Sequence, residues 1–236
     1  MAKRKRKNTP QNRKRNAQQQ GDETLVDLVE ARDNAQDFMD RNQKTIFGVL
    51  TVLVLLVGGW LAYQNFVVAP KEEKAQSMMY QAENLFQQDS FSRALTLPGN
   101  GFLDIIENYG GTGAGNLALY YAGVSYLNIG QFDAAISYLE DYDADGDVMP
   151  VMKYGALGDA YSEAGDLGKA LSLYARAADA EENDVLAPYY LKKAGLLAQK
   201  QGQVAEAREY FEQIRDEYPN SVEGRDIDKY IMRAQG

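Results

Sequence analysis

The 236-residue chain contains no cysteine and no histidine. Without these two residue types there is no His-assisted serine or cysteine nucleophile, no thiolate chemistry, no ordinary zinc site and no structural disulfide. A catalytic site would have to be built from carboxylates, lysine, tyrosine or a cofactor. We therefore expect a protein that is not an enzyme and that holds neither a cofactor nor a metal ion; an enzyme with a pocket of buried carboxylates or lysines is the alternative.

A further absence is local, because residues 45–68 carry no charged side chain. A helix of this length measures roughly 36 Å, which is enough to cross a hydrocarbon core of about 30 Å. Trp60, Tyr63 and Phe66 gather at its C-terminal end, and aromatic rings prefer the headgroup level of a membrane. The sequence therefore predicts a transmembrane helix over 45–68.

The net charge of −9 is distributed unevenly around this segment. Residues 1–44 hold eleven basic and seven acidic side chains, a net charge of +4, whereas residues 45–236 carry a net charge of −13. The positive-inside rule places the N-terminus in the cytoplasm. The apolar run is longer than that of a cleaved signal peptide, and no small-x-small cleavage site follows it. We expect an uncleaved signal anchor in a bacterial inner membrane, with residues 69–236 in the periplasm; an organelle lumen is the alternative.

The basic segment 1–44 has no interleaved aromatic residues and no folded module to orient it on a nucleic acid. Charge that sets topology and attracts anionic membrane lipid accounts for it, so we expect no nucleic-acid partner. Within it, residues 22–43 read as a short acidic helix with one apolar face. That face either contacts a partner or only precedes the membrane span.

The rest of the chain repeats a pattern of small residues. Each copy has a glycine within its first helix, a glycine at the turn, and an alanine in its second helix: Gly123, Gly130 and Ala135; Gly158, Gly165 and Ala170; Gly195, Gly202 and Ala207. The pattern resembles the 34-residue tetratricopeptide repeat, a pair of antiparallel helices. It predicts three clear repeats at about 116–147, 151–183 and 188–220.

The flanking segments extend this array. Residues 72–112 read as an irregular repeat, in which Asp89-Ser90-Phe91 replaces the glycine turn and a short helix covers about 102–109. Residues 222–234 should form a terminal capping helix. We thus predict an all-α protein, a solenoid of tetratricopeptide-type hairpins preceded by one transmembrane helix.

The residue types suggest how the helices pack. We expect Gly123 to face Ala135 and Gly158 to face Ala170 where paired helices cross, and the turn glycines to adopt positive φ. Larger side chains are expected to fill the space between neighbouring pairs: Tyr126, Tyr161, Leu139 and Phe211.

In tetratricopeptide proteins the first helix of each pair lines a groove. The exposed positions of those helices, carried over from the family geometry, are Tyr120, Val124, Asn128, Asp159, Glu163, Tyr189, Lys192, Leu196 and Lys200. Such a mixture of aromatic and charged side chains suits an extended or helical peptide partner.

Two motifs resemble binding sites for small ions. Asp141–Asp147 follows the first places of a calcium loop, but Met152 stands where the bidentate glutamate belongs. We favour a solvated acidic linker there, with weak calcium binding as the alternative. The glycine-rich stretch 110–115 resembles a phosphate loop but lacks the Gly-Lys-Ser/Thr ending. We expect a turn between helices instead.

The basic start, the signal anchor and the repeat domain together resemble the bacterial single-span ancillary subunits of the Sec translocon. Segments 101–109 and 218–230 look like those of anchored repeat proteins common in Bacteroidetes. The resemblance implies a scaffold that links the translocon to periplasmic chaperones or exported proteins. An envelope-assembly or cell-division scaffold is the alternative, and the oligomeric state is left open.

Overall fold

A computed structural model describes residues 41–180 and 184–234, together with Gln36 and Met39. Every regular element in these ranges is helical, and none of the described residues lies in a β-strand. The all-α prediction is confirmed. The predicted acidic helix 22–43 falls almost entirely outside the described residues.

The first helix, α1, runs from Arg41 to Gln87 and includes the whole predicted span. Its most apolar stretch has a mean hydropathy of 2.3, and no other described part of the chain covers that stretch. Val54 and Leu55, for example, are each 69% exposed. A row of large apolar side chains left open in this way is unfavourable in water and suited to a lipid environment.

The chain separates into two compact units between Gln64 and Asn65, inside α1. A π-helical turn at Gln64–Val68 lies just before Pro70. Because proline lacks a backbone N–H and crowds the preceding turn, the wider π turn lets the helix continue through it. The first helix of the predicted irregular repeat 72–112 is consequently the Ala69–Gln87 part of α1 and not a separate element.

Nine further α-helices follow α1 in the described chain: α2 Phe91–Thr96, α3 Phe102–Tyr109, α4 Gly113–Asn128, α5 Phe132–Asp141, α6 Met149–Ala164, α7 Leu167–Asp179, α8 Leu186–Lys200, α9 Val204–Glu217 and α10 Asp228–Arg233. A 3-10 turn, Gly224–Asp226, lies between α9 and α10. Each of the pairs α4–α5, α6–α7 and α8–α9 packs as a hairpin, and each hairpin packs on the next. The predicted cap 222–234 is thus a 3-10 turn followed by the short α10 instead of one continuous helix.

The turns within these pairs share one backbone conformation. Gly130, Gly165 and Gly202 have φ angles of 77°, 88° and 78°, which confirms the expected left-handed turn residues. Asp89 takes the equivalent conformation between α1 and α2, with φ of 56°. The irregular first pair therefore keeps the turn geometry with a residue type that tolerates it less readily.

The crossing of paired helices differs in part from the prediction. A Cβ atom added at Gly123 would lie 2.5 Å from the Leu139 side chain, and one at Gly158 would lie 2.6 Å from the Tyr174 ring. The nearest side chains are therefore those one helical turn after Ala135 and Ala170, which are long enough to reach across the crossing. The Ala135 carbonyl oxygen also lies 3.2 Å from the Cβ added at Gly123, so Gly123 does face Ala135 as predicted. In the third hairpin, a Cβ atom added at Gly195 would meet the Phe211 ring in the same way.

The four larger side chains that were expected to fill the space between neighbouring pairs have different surroundings. Tyr126 stacks on Tyr138 within its own hairpin, with ring centroids 5.3 Å apart, and both rings pack against the buried cluster that α4 shares with α1, α2 and α3. Leu139 packs with Ala156 and Leu157 of the next hairpin, and the Phe211 ring lies 5.5 Å from that of Tyr230 in α10, so both contact the neighbouring element as predicted. Tyr161 does bridge neighbours, because its hydroxyl donates a hydrogen bond to Glu140 Oε1 of the preceding hairpin at 2.7 Å.

Candidate partner-binding cleft

A cleft of about 780 Å³ lies beside α4 and α6, the first helices of two successive hairpins. We refer to it as the α4–α6 cleft. The side chains that give it its chemical character are Tyr120, Asn128, Asp159, Glu163, Tyr174, Tyr190 and Lys193.

Helical spacing explains this grouping. Tyr120, Val124 and Asn128 follow one another at intervals of four on α4, so they share one face. Asp159 and Glu163 have the same spacing on α6. The structure thus brings together on one cleft all five residues that the family geometry selected from the first two repeats.

The four residues selected from the third repeat lie elsewhere. None of Tyr189, Lys192, Leu196 and Lys200 lines this cleft. Lys192 instead lies over the ring of Tyr230 in α10, with its ammonium 5.2 Å from the ring centroid. Tyr189 and Leu196 are 44% and 41% exposed.

Tyr190 and Lys193 of α8 line the cleft in their stead. The sequence contains two adjacent tyrosines and two adjacent lysines here, and the family register selected the first of each pair. The signal that favours the second is helical periodicity, since residue 190 is four residues before the buried Ala194 and therefore faces the neighbouring hairpin.

A polar network holds the centre of the cleft. Asp159 Oδ1 accepts a hydrogen bond from the Tyr174 hydroxyl at 2.6 Å and a charged hydrogen bond from Lys193 Nζ. The rings of Tyr174 and Tyr190 are nearly parallel, with centroids 6.4 Å apart. The Lys193 ammonium lies 4.9 Å from the centroid of the Tyr174 ring, within cation–π distance.

The tyrosines of the cleft stay neutral at physiological pH. Burial raises the pKa of Tyr120 to about 12, with a smaller contribution from the neighbouring Tyr121 and Tyr142 hydroxyls. Burial also raises the pKa of Tyr174, as does its hydrogen bond to Asp159, and burial raises the pKa of Tyr190. The charge of the cleft therefore comes from Asp159, Glu163 and Lys193.

The glycine-rich stretch that resembles a phosphate loop is already occupied by a side chain of this protein. Glu72, in α1, accepts hydrogen bonds from the backbone N–H groups of Gly113 at 2.6 Å and Ala114 at 3.0 Å. Thr112 caps the same helix by accepting from Gly115 N–H at 3.0 Å. The positive N-terminal end of α4 thus binds an internal carboxylate.

The acidic loop 141–147 makes contacts that compete with a cation. Lys153 Nζ donates to the carbonyls of Glu140 and Tyr142, and Asn116 exchanges two hydrogen bonds with the backbone of Asp143 at 2.7 and 2.9 Å. Among the residues that the structure describes, no group of three or more acidic side chains is placed to hold a metal ion.

The stacked hairpins and the cleft on their first helices define a helical-hairpin repeat protein. The sequence profile of the tetratricopeptide repeat matches residues 117–143 and 190–221, which cover most of the first and third clear hairpins. These matches support a tetratricopeptide repeat protein, and the hairpins have that fold. No curated protein matches the chain.

Proposed function

We propose that this protein is a membrane-anchored scaffold, without catalytic activity, that binds a protein or peptide partner in the α4–α6 cleft. The observation that carries the proposal is the cleft itself. It is about 780 Å³ in volume, it lies on the first helices of two successive repeats, and it presents aromatic rings beside charged groups. Aromatic rings rimmed by polar groups are typical of sites that recognise peptides.

Anchoring is supported by the exposed apolar side chains of α1. The charge imbalance supports the orientation, because the segment before the span carries +4 and the chain from residue 45 onward carries −13. We infer a single-pass protein of a bacterial inner membrane, in contact with lipid through α1, with the repeat hairpins in the periplasm.

The partner we favour is the Sec translocon or a periplasmic chaperone that handles exported proteins. Support for this choice comes from the arrangement of a basic cytoplasmic start, one anchor and a repeat domain, which resembles ancillary translocon subunits. A scaffold for envelope assembly or cell division would have the same arrangement and is the second candidate.

In-cell photocrosslinking tests the proposal. A photoreactive phenylalanine derivative replaces Asn128, which is exposed at the cleft, and in a matched strain replaces Glu209, which is exposed on α9 away from it. We expect a specific protein adduct from position 128 and none from position 209. Mass spectrometry of that adduct then separates a translocon or chaperone partner from peptidoglycan or division proteins. Equal capture from the two positions, or capture from position 209 alone, would contradict the cleft as the binding site.

A further inference from the structure

The α4–α6 cleft holds more negative than positive charge. Asp159 and Lys193 form an ion pair, but within the described chain no residue forms an ion pair with Glu163, which is exposed. Glu163 follows Asp159 by one helical turn on α6, so both carboxylates lie along the same side of the cleft. The ion pair with Lys193 compensates the charge of Asp159, so the negative charge of Glu163 remains uncompensated.

The Asp159 carboxylate also has capacity for another donor. Its side chain is 36% exposed, and the hydrogen bonds from Tyr174 and Lys193 both go to Oδ1. A carboxylate has lone pairs on both of its oxygens. A cation that enters the cleft can therefore reach Asp159 without first breaking the packing around Tyr174.

The cleft already holds one cation, which belongs to the protein itself. The Lys193 ammonium lies 4.9 Å from the centroid of the Tyr174 ring and 5.4 Å from that of Tyr189. Aromatic faces beside a carboxylate are the combination that binds ammonium and guanidinium groups. Lys193 thus shows which ligand chemistry these groups satisfy.

The surroundings of the cleft reinforce this preference. Residues 113–180 contain ten acidic and three basic side chains. All three basic side chains are engaged: Lys153 with two carbonyls, Lys169 with Asp166, and Arg176 over the Tyr154 ring. The resulting negative potential attracts basic segments and repels acidic ones.

We propose that the α4–α6 cleft receives a lysine or arginine side chain from an extended basic segment of the partner protein, with Asp159 and Glu163 as its acceptors. In the free protein Lys193 already binds Asp159 Oδ1, so its ammonium shares that carboxylate with the partner's cation and competes with it electrostatically. This inference rests on the proposed function and adds the chemistry of the partner to it.

The test uses the full chain in lipid nanodiscs and three fluorescent eight-residue peptides. The peptides share a leucine and serine framework and carry two arginines, two glutamines or two glutamates at the same two positions. Fluorescence anisotropy should show the arginine peptide binding most tightly and the glutamate peptide most weakly. The preference should shrink as salt is added, because exposed charges are screened.

Three variants assign the effect to the cleft. Glu163→Gln should weaken binding of the arginine peptide about two- to fivefold, the range that an exposed ion pair contributes, and should leave binding of the glutamine peptide unchanged. Glu209→Gln makes the same charge change on α9 and should have no effect. Lys193→Met removes the internal competitor and should strengthen binding of the arginine peptide about two- to fivefold.

Several results would overturn the inference. They are tightest binding of the glutamate peptide, weaker binding of the arginine peptide after Lys193→Met, equal affinity for the three peptides, or no binding of any of them. The first two would assign the cleft to an acidic ligand held by Lys193. The proposed function is tested separately by crosslinking from position 128, so specific capture there alongside any of these results would leave the scaffold role standing.

Discussion

Gly158 and Gly168 lie in the two helices of one hairpin, and a methyl group should have opposite effects at the two positions. At Gly158 the new Cβ would meet the Tyr174 ring at 2.6 Å, whereas at Gly168 its nearest neighbour is Asp166 Oδ1 at 4.0 Å. We expect Gly158→Ala to lower the free energy of unfolding by about 1–3 kcal/mol through overpacking. Gly168→Ala should raise it by about 0.5 kcal/mol through the lower entropy of the unfolded chain. Urea unfolding of the full chain in micelles measures both, and equal effects would contradict the close contact between Gly158 and the Tyr174 ring.

The buried tyrosines of the cleft predict a loss of stability in alkali. Tyr120 has the ordinary tyrosine pKa of 10.0 in the unfolded chain, but burial raises its pKa to about 12 in the folded protein. Below pH 10 the residue is neutral in both states and its contribution is fully present. Between pH 10 and 12 only the unfolded state releases the proton, so the free energy of unfolding falls by about 1.4 kcal/mol per pH unit.

Urea midpoints at pH 8, 10 and 11 measure this loss. Tyr174 and Tyr190 add to it, because burial raises the pKa of each in the same direction. Tyr120→Phe keeps the ring and removes one titrating group, so the decline above pH 10 should become shallower. A decline of the same steepness in that variant would show that Tyr120 ionises normally in the folded protein.

At the scale of elements, Glu72 ties α1 to the first clear repeat. Its carboxylate accepts from two backbone N–H groups at the start of α4, which is a charged cap supplied by another helix. Glu72→Gln should therefore lower the free energy of unfolding by about 1–2 kcal/mol. The same substitution should accelerate hydrogen exchange at the backbone amides of Gly113 and Ala114.

Glu73→Gln is the matched control, since Glu73 is the exposed neighbour on the same helix. It makes the same charge change without touching α4 and should leave exchange at Gly113 and Ala114 as in the unmodified chain. Equal acceleration in the two variants would mean that general electrostatics, and not the cap, protects those amides.

The turns between helices could be predicted from the sequence, whereas the side-chain contacts at the helix crossings could not. Glycine at the turns was sufficient to predict the hairpins, because a left-handed φ at Gly130, Gly165 and Gly202 is a local property of the chain. The partner of Gly158 could not be predicted in the same way, since the length of the Tyr174 side chain decides which residue reaches across the crossing. Local patterns specify turns, whereas crossings depend on side chains distant in sequence.

The residues of the α4–α6 cleft were likewise predicted only in part. Residues of α4 and α6 were predicted from the repeat register, which is regular over the first two clear repeats. The family register selected Tyr189, whereas the spacing of four residues from Tyr190 to the buried Ala194 favours Tyr190, which lines the cleft. The hydrogen bonds from the start of α4 to Glu72 could not be predicted from the sequence either, because they join residues more than forty positions apart.

At the scale of the whole molecule, the absence of cysteine makes membrane topology directly measurable. A single cysteine introduced as Ser92→Cys on α2, where the residue is exposed, should react with a membrane-impermeant maleimide once the outer membrane is permeabilised. Gln18→Cys in the basic segment should react only after the inner membrane is broken, because the positive-inside rule places it in the cytoplasm. The reverse pattern would contradict the orientation, and labelling of both residues in intact spheroplasts would contradict the span.

The central claim is that the α4–α6 cleft binds the partner, and the most direct measurement is the affinity of the captured partner for a protein whose cleft is filled. Asn128→Trp places a large side chain at the cleft, and Glu209→Trp places the same side chain on α9. We predict that Asn128→Trp weakens binding at least tenfold at an unchanged melting temperature, while Glu209→Trp binds like the unmodified chain. Unchanged affinity in Asn128→Trp would place the partner elsewhere and contradict the account.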